Sequence, residues 1–150
     1  MKTYAVCPIS DQKINERVAR LNAVFTVLIL LTFGFTRSLP LLIFLVVDFL
    51  LRATSWSKFS LIAFTSRHIV KYLPVETQLI NAGPKIFAAR IGLLLTSLII
   101  LAAIFSYSSA SLVIVGILAL FSFLEGAFGI CVACTIYPYV YRFIYKTKLS

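Results

Sequence analysis

The sequence predicts an all-α integral membrane protein, with four transmembrane helices and a cytoplasmic amphipathic helix between spans 2 and 3. Three observations carry that expectation. Of 150 residues, 61% are hydrophobic and only 13% charged, where soluble domains run at about a quarter charged. The apolar residues gather into four long runs, and mean hydropathy is +1.00. Finally, the 14 Lys and Arg residues, set against 5 Asp and Glu, fall almost wholly on one side of those runs. A net charge of +9 would raise the question of nucleic acid in a soluble chain. Here the excess belongs to loops retained in the cytoplasm beside anionic lipid, so the expected partner is the lipid bilayer and no nucleic acid.

Residues 1–20 are polar and contain Asp11, Lys13, Glu16, Arg17 and Arg20. The apolar run after them lacks a small-residue cleavage site and reads as a retained span. That run, LNAVFTVLILLTFGF at 21–35, reaches the roughly 20 residues a bilayer requires once its flanks are included, giving a first span near 20–36. The second run, LPLLIFLVVDFLL at 39–51, is shorter and contains Asp48. It extends over 39–56 if Arg52 snorkels to the interface. The third span covers 86–107. The fourth covers 112–139 and is long enough to tilt, or to bend near Gly126, Gly129 or Pro138.

Basic residues set the orientation. Lys2, Lys13, Arg17 and Arg20 precede the first span, and Arg52, Lys58, Arg67, Lys71, Lys85 and Arg90 occupy the long connection. Arg142, Lys146 and Lys148 follow the last span, whereas Arg37 is alone on the opposite side. The positive-inside rule places both termini and the long loop in the cytoplasm.

Within that loop, residues 55–73 have helical periodicity. Trp56, Phe59, Ile62, Ala63, Val70 and Leu73 share a face, Lys58, Arg67, His68 and Lys71 lie off it, and Leu61 and Phe64 break the pattern. Such a helix either lies on the inner leaflet or packs on the bundle. His68, the sole histidine, reads as a solvated residue of the polar face and not a metal ligand. No internal repeat or second domain is legible, so residues 1–150 form a single membrane domain.

The candidate chemistry lies in the last span, where Cys131 and Cys134 form a Cys-x-x-Cys pair. On a helix the two lie about 60° apart with Cα atoms about 5 Å apart, a separation that a disulfide tolerates. Such a pair can form a disulfide, hold a soft metal or carry sulfur. Tyr137, Tyr139 and Tyr141 form an interfacial aromatic belt with Arg142 at headgroup level. The thiols then lie near the cytoplasmic surface, on the same side as Cys7. In an unbroken helix they sit toward its C-terminal end, where a thiolate is disfavoured; a break at Gly126 or Gly129 would let Cys131 open a new helix and favour it. Small residues also serve close packing, and the unbroken span is the expected arrangement.

Two acids fall inside spans, where each costs about 2.5–3.5 kcal/mol on insertion scales. Asp48 has Arg52 four residues on as a partner. Glu125 has no local base and needs either a partner on another helix or a proton. On a straight helix it points about 120° away from Cys131 and about 180° from Cys134.

Three blocks carry a resemblance: NERVARLNA at 15–23, PKIFAARIG at 84–92 and FGICVACTIY at 128–137. With these the chain resembles a family of small bacterial membrane proteins catalogued as a domain of unknown function. The third block is similar to that family's Phe-Gly-x-Cys-x-x-Cys-x-x-Tyr ending. The resemblance implies a multi-span protein of the bacterial inner membrane whose cysteine pair is a family feature, with no established activity. Some members are associated with thioredoxin-like or rhodanese-like domains, which points to such a protein as partner. The leading expectation is thiol–disulfide or sulfane-sulfur handling by Cys131 and Cys134, with Cys7 and Glu125 as further candidates. A cytoplasm-facing pair more naturally donates electrons or carries sulfur than makes disulfides. The alternatives are a soft metal ion held by Cys131, Cys134 and Cys7, and cysteines that merely pack.

Overall fold

The computed structural model describes residues 13–54 and 56–148. A short strand β1 (Lys13–Asn15) leads into helix α1 (Glu16–Thr36), which turns at once into α2 (Leu39–Ala53). A single 3-10 turn (Ser57–Phe59) precedes α3 (Leu61–Tyr72). Strand β2 (Leu79–Asn81) leads into α4 (Ala82–Ile104), which is followed by α5 (Ser108–Phe128) and α6 (Val132–Lys148). Helices α1, α4 and α5, of 21, 23 and 21 residues, are long and apolar enough to cross a membrane.

Local chemistry explains where these helices begin. Asn15 and Asn81 occupy equivalent places, each the last residue of its strand and each an N-cap. The Asn15 side chain accepts from the Arg17 amide at 3.0 Å, and that of Asn81 accepts from the Gly83 amide at 3.0 Å, relieving amides that have no partner within the helix. Glu16 stands in the first turn of α1, where the helix dipole favours an acid, and pairs with Arg20 at 2.7 Å. Ser60 caps α3 through the Ala63 amide at 3.1 Å.

The two strands pair antiparallel about a centre at Ile14 opposite Ile80, with Lys13 opposite Asn81 and Asn15 opposite Leu79. That ladder relates two similar units of strand, helix and helix. α1 packs chiefly on α5 of the other unit, and α2 chiefly on α4. The sequence gives no sign of a repeat beyond the Ile-Asn pair that ends each strand, because the helices share architecture and not residues.

The core between the units is apolar: Leu30 and Phe33 of α1, Leu42, Leu45 and Phe49 of α2, and Ile99 of α4 are at most 5% exposed. Gly92 makes the α2–α4 contact close. A Cβ there would fall 2.6 Å from the Phe49 ring, so the ring lies directly on the α4 backbone.

Chain direction gathers the start of α1, the end of α2, the start of α4 and the end of α5 at one end of the bundle. The α1–α2 and α4–α5 turns meet at the other, where the Arg37 guanidinium donates to the Ser108 hydroxyl.

Several boundaries differ from the sequence-based expectation. Helices α1 and α4 begin four residues earlier than the spans expected at 20–36 and 86–107, because the asparagine caps precede the apolar runs. Helix α2, expected over 39–56, ends at Ala53 and is only 15 residues long. The span expected over 112–139 is two helices, with the chain leaving helical geometry from Gly129 to Cys131. Gly126 stays within α5. Gly129 takes the left-handed conformation (φ 70°), its amide donating to the Glu125 carbonyl, a common way to end a helix and one that suits glycine. A Cβ at Gly129 would also collide with the Arg20 guanidinium.

The loop helix is shorter than the expected 55–73. Ile62, Ala63, Ser66 and Val70 of α3 are buried, and α3 packs on α1. Leu61 and Phe64 point outward, which is why they break the sequence periodicity.

Candidate functional site

Because α5 stops at Gly129, Cys131 becomes the residue that opens α6. Its carbonyl accepts the first helical bond, from the Thr135 amide at 3.0 Å. Its Sγ accepts from the Cys134 amide at 3.2 Å, the place that a serine or aspartate oxygen fills at an ordinary N-cap. Cys131 and Cys134 are joined as a disulfide with a Cα–Cα separation of 5.1 Å. The sulfur of Cys131 therefore sits at the positive end of a helix dipole. The unbroken span expected is replaced by a break that puts Cys131 at the start of α6, and the physical reason is the left-handed glycine two residues before it.

Cys131 is 9% exposed and lines a cavity of about 530 Å³ at the end of the bundle where the helix starts and ends are gathered. Glu125 lines the same cavity, although a straight helix would point the two residues apart. The partner of Glu125 is Lys85, from the first turn of α4, in an ion pair whose side chains are 17% and 13% exposed. Lys85 is 40 positions away, and sequence reasoning places it in a cytoplasmic loop; only the Pro84-Lys85 start of α4 hints that it reaches the bundle.

The other acid expected within a span ties two elements together. Asp48 is 2% exposed, is paired with Arg52 at 3.5 Å as the spacing predicts, and accepts from the Ser60 hydroxyl. The carboxylate thus ties the end of α2 to the residue that caps α3. Arg52 lies over the Phe49 ring, 5.3 Å from its centroid, and its stem covers apolar surface.

His68 is exposed between the rings of Phe64 and Tyr72, with centroids 4.8 and 6.2 Å away. Cys7 lies outside the described residues. Among the described residues no group of three His, Cys, Asp or Glu is placed to hold a metal ion.

Residues that sequence reasoning did not single out complete the cavity. Asn22, Thr26 and Ser122 line it; Asn22 is 6% exposed and its side-chain oxygen has no hydrogen-bond partner. Lys13, Arg52, Lys58, Arg67 and Lys85 line it as well. These come from β1, α2, the 3-10 turn, α3 and α4, so no local pattern betrays the cluster. The Tyr137 ring packs against Phe87 of α4 at 5.4 Å and against Tyr141 at 6.1 Å. The Phe87 contact seats the first turns of α6 on α4. Helix α6 then continues through Pro138, whose missing N–H deprives the Cys134 carbonyl of a helical donor.

A family profile described as Domain of unknown function (DUF4395) matches residues 14–142, a stretch that includes both Cys131 and Cys134. No curated protein and no solved structure matches the chain.

Proposed function

We propose, for a chain that belongs to the DUF4395 family, that it is a membrane-embedded thiol–disulfide or sulfane-sulfur handling protein with Cys131 as nucleophile and Cys134 as resolving thiol. The observation that carries this reading is the pair's place, with Cys131 at the start of α6 and on the wall of a cavity. In the reduced form the Cys131 thiolate attacks one sulfur of a disulfide or persulfide. A mixed disulfide or a Cys131 persulfide forms, and the departing thiolate takes a proton. The Cys134 thiol, on losing its proton, then attacks the Cys131 sulfur, closes the Cys131–Cys134 bond and releases the second sulfur species. The protein loses two electrons and the substrate gains two. A thioredoxin-like or rhodanese-like protein is the natural donor or acceptor at the cytoplasmic side.

In this reading the protein crosses a bacterial inner membrane four times with both termini inside. Helix α2 is the short crossing. Its 15 residues rise about 22 Å, less than the roughly 30 Å of hydrocarbon. Its close packing on α4 supports its lying within the bilayer, and Arg52 reaches the headgroups from its last turn. Helix α3 lies along the inner leaflet with Leu61, Phe64 and Tyr72 facing lipid.

The test is the state of the thiols in native membranes, trapped with acid and alkylated before and after reduction. A Cys131–Cys134 disulfide or persulfide whose fraction changes with supplied oxidant or sulfur donor supports the reading. So does a mixed disulfide on Cys131 that accumulates in Cys134→Ser and not in Cys131→Ser. Thiols reactive only after chelation would replace it with a soft metal site. Thiols inert in both states would leave cysteines that merely pack.

A further inference from the structure

The cavity carries a charge that thiol chemistry alone does not require. Of its five cationic side chains, Lys85 is neutralised by Glu125 and Arg52 by Asp48. Lys13, Lys58 and Arg67 have no carboxylate partner among the described residues. Arg67 is nonetheless held in place, donating to the carbonyls of Ala63 at 3.0 Å and Ser57 at 2.8 Å. All three are exposed, so they mark the side of the cavity that faces solvent. Deeper in, the buried Asn22 oxygen lacks a partner; as an acceptor it would take a donor and not the anionic group of a ligand.

We infer that this cavity selects a small anionic thiol, one that carries a carboxylate or sulfonate besides its sulfur, as the partner that exchanges with the Cys131–Cys134 disulfide. The inference rests on the thiol-exchange reading and adds the substrate class to it. The cavity volume, about 530 Å³, falls in the range of small-molecule sites, roughly 300–1,000 Å³. A wall of unneutralised cations beside low-dielectric helices concentrates anions and favours approach of a thiolate that bears a second negative charge. Cys131, at 9% exposure, is reached through the cavity.

The exchange balances as follows. The thiolate RS⁻ attacks Cys131 Sγ, the Sγ–Sγ bond breaks, and Cys134 leaves as a thiolate that takes a proton from water. A second RS⁻ attacks the outer sulfur of the RS–S–Cys131 bond, forming RSSR and releasing the Cys131 thiolate, which the α6 N-terminus stabilises. Two small thiols are oxidised and one protein disulfide is reduced.

The experiment uses the full oxidised chain in phosphatidylcholine nanodiscs with three two-carbon thiols: 2-mercaptoethanesulfonate, 2-mercaptoethanol and cysteamine. Rates of disulfide reduction are compared per thiolate. The sulfonate should react roughly 10-fold or more faster than the alcohol and the amine slowest, with the spread shrinking in high salt. In the triple variant Lys13→Gln/Lys58→Gln/Arg67→Gln the sulfonate-to-alcohol ratio should fall toward one. Equal rates for the three thiols would overturn the anion preference and leave thiol exchange standing. Failure of all three to reduce the disulfide would instead overturn thiol exchange itself.

Discussion

Cys131 and Cys134 are three positions apart, yet the fold gives them different surroundings. Cys131 faces the cavity and accepts the Cys134 amide, whereas Cys134 sits one turn into α6 and is partly exposed. After reduction, iodoacetamide should label Cys131 about 10-fold faster than Cys134, read site by site by mass spectrometry over time. Equal rates would remove the assignment of Cys131 as nucleophile. The pair itself is legible in the sequence, because no packing need places two thiols at that spacing. The partner of Glu125 is not, since Lys85 meets it only through tertiary packing. Breaking that half-buried pair from one side leaves an uncompensated charge. Lys85→Met should therefore cost about 3 kcal/mol, seen as a lower melting temperature in detergent, and Lys85→Met/Glu125→Gln should recover much of it.

Among the elements, the α5–α6 break decides the most. Phe-Gly-Ile-Cys gave two compatible readings, close packing or helix termination, and hydropathy could not separate them because both sides of the glycine are apolar. What separates them is a left-handed φ, which glycine permits but does not require, and the Arg20 guanidinium lying against the glycine, which is not encoded locally. Gly129→Ala puts a side chain into that conformation and against Arg20. A loss of about 1–3 kcal/mol is expected, together with a changed rate of Cys131 alkylation; an unaltered rate would mean that the break does not position the thiol. The α2–α4 contact is as specific. Gly92→Ala must displace the Phe49 ring and should destabilise by about 1–3 kcal/mol, with Phe49→Leu in the same chain restoring part of it. The long helices, by contrast, were readable from composition and length, and their asparagine caps account for the few residues by which the starts moved.

At the scale of the whole molecule, charge distribution and chain direction give the same division of ends. The far end has the Arg37–Ser108 contact, and the near end has the ladder, the basic cavity and the cysteines. Topology reporters fused at residues 37 and 107 should therefore report the periplasm, and those at 57 and 75 the cytoplasm; matching signals at 37 and 57 would show that α2 does not cross. The relation between the two strand–helix–helix units was hidden from sequence because it lives in the pairing of Lys13–Asn15 with Leu79–Asn81 and not in shared residues. That exchange of partners has a temporal consequence. As the chain emerges from the ribosome, α1 and α2 wait for companions that are made later, α5 and α4 respectively, and β1 waits for β2. A nascent chain halted before residue 79 can make the α1–α3 and α1–α2 contacts but not the α1–α5 and α2–α4 ones, so the main packing follows synthesis of the second unit. The two halves, cut in the irregular stretch between Tyr72 and Leu79 and synthesised as separate polypeptides, should then reassociate in the membrane and co-purify, while either half made alone should be cleared by proteolysis.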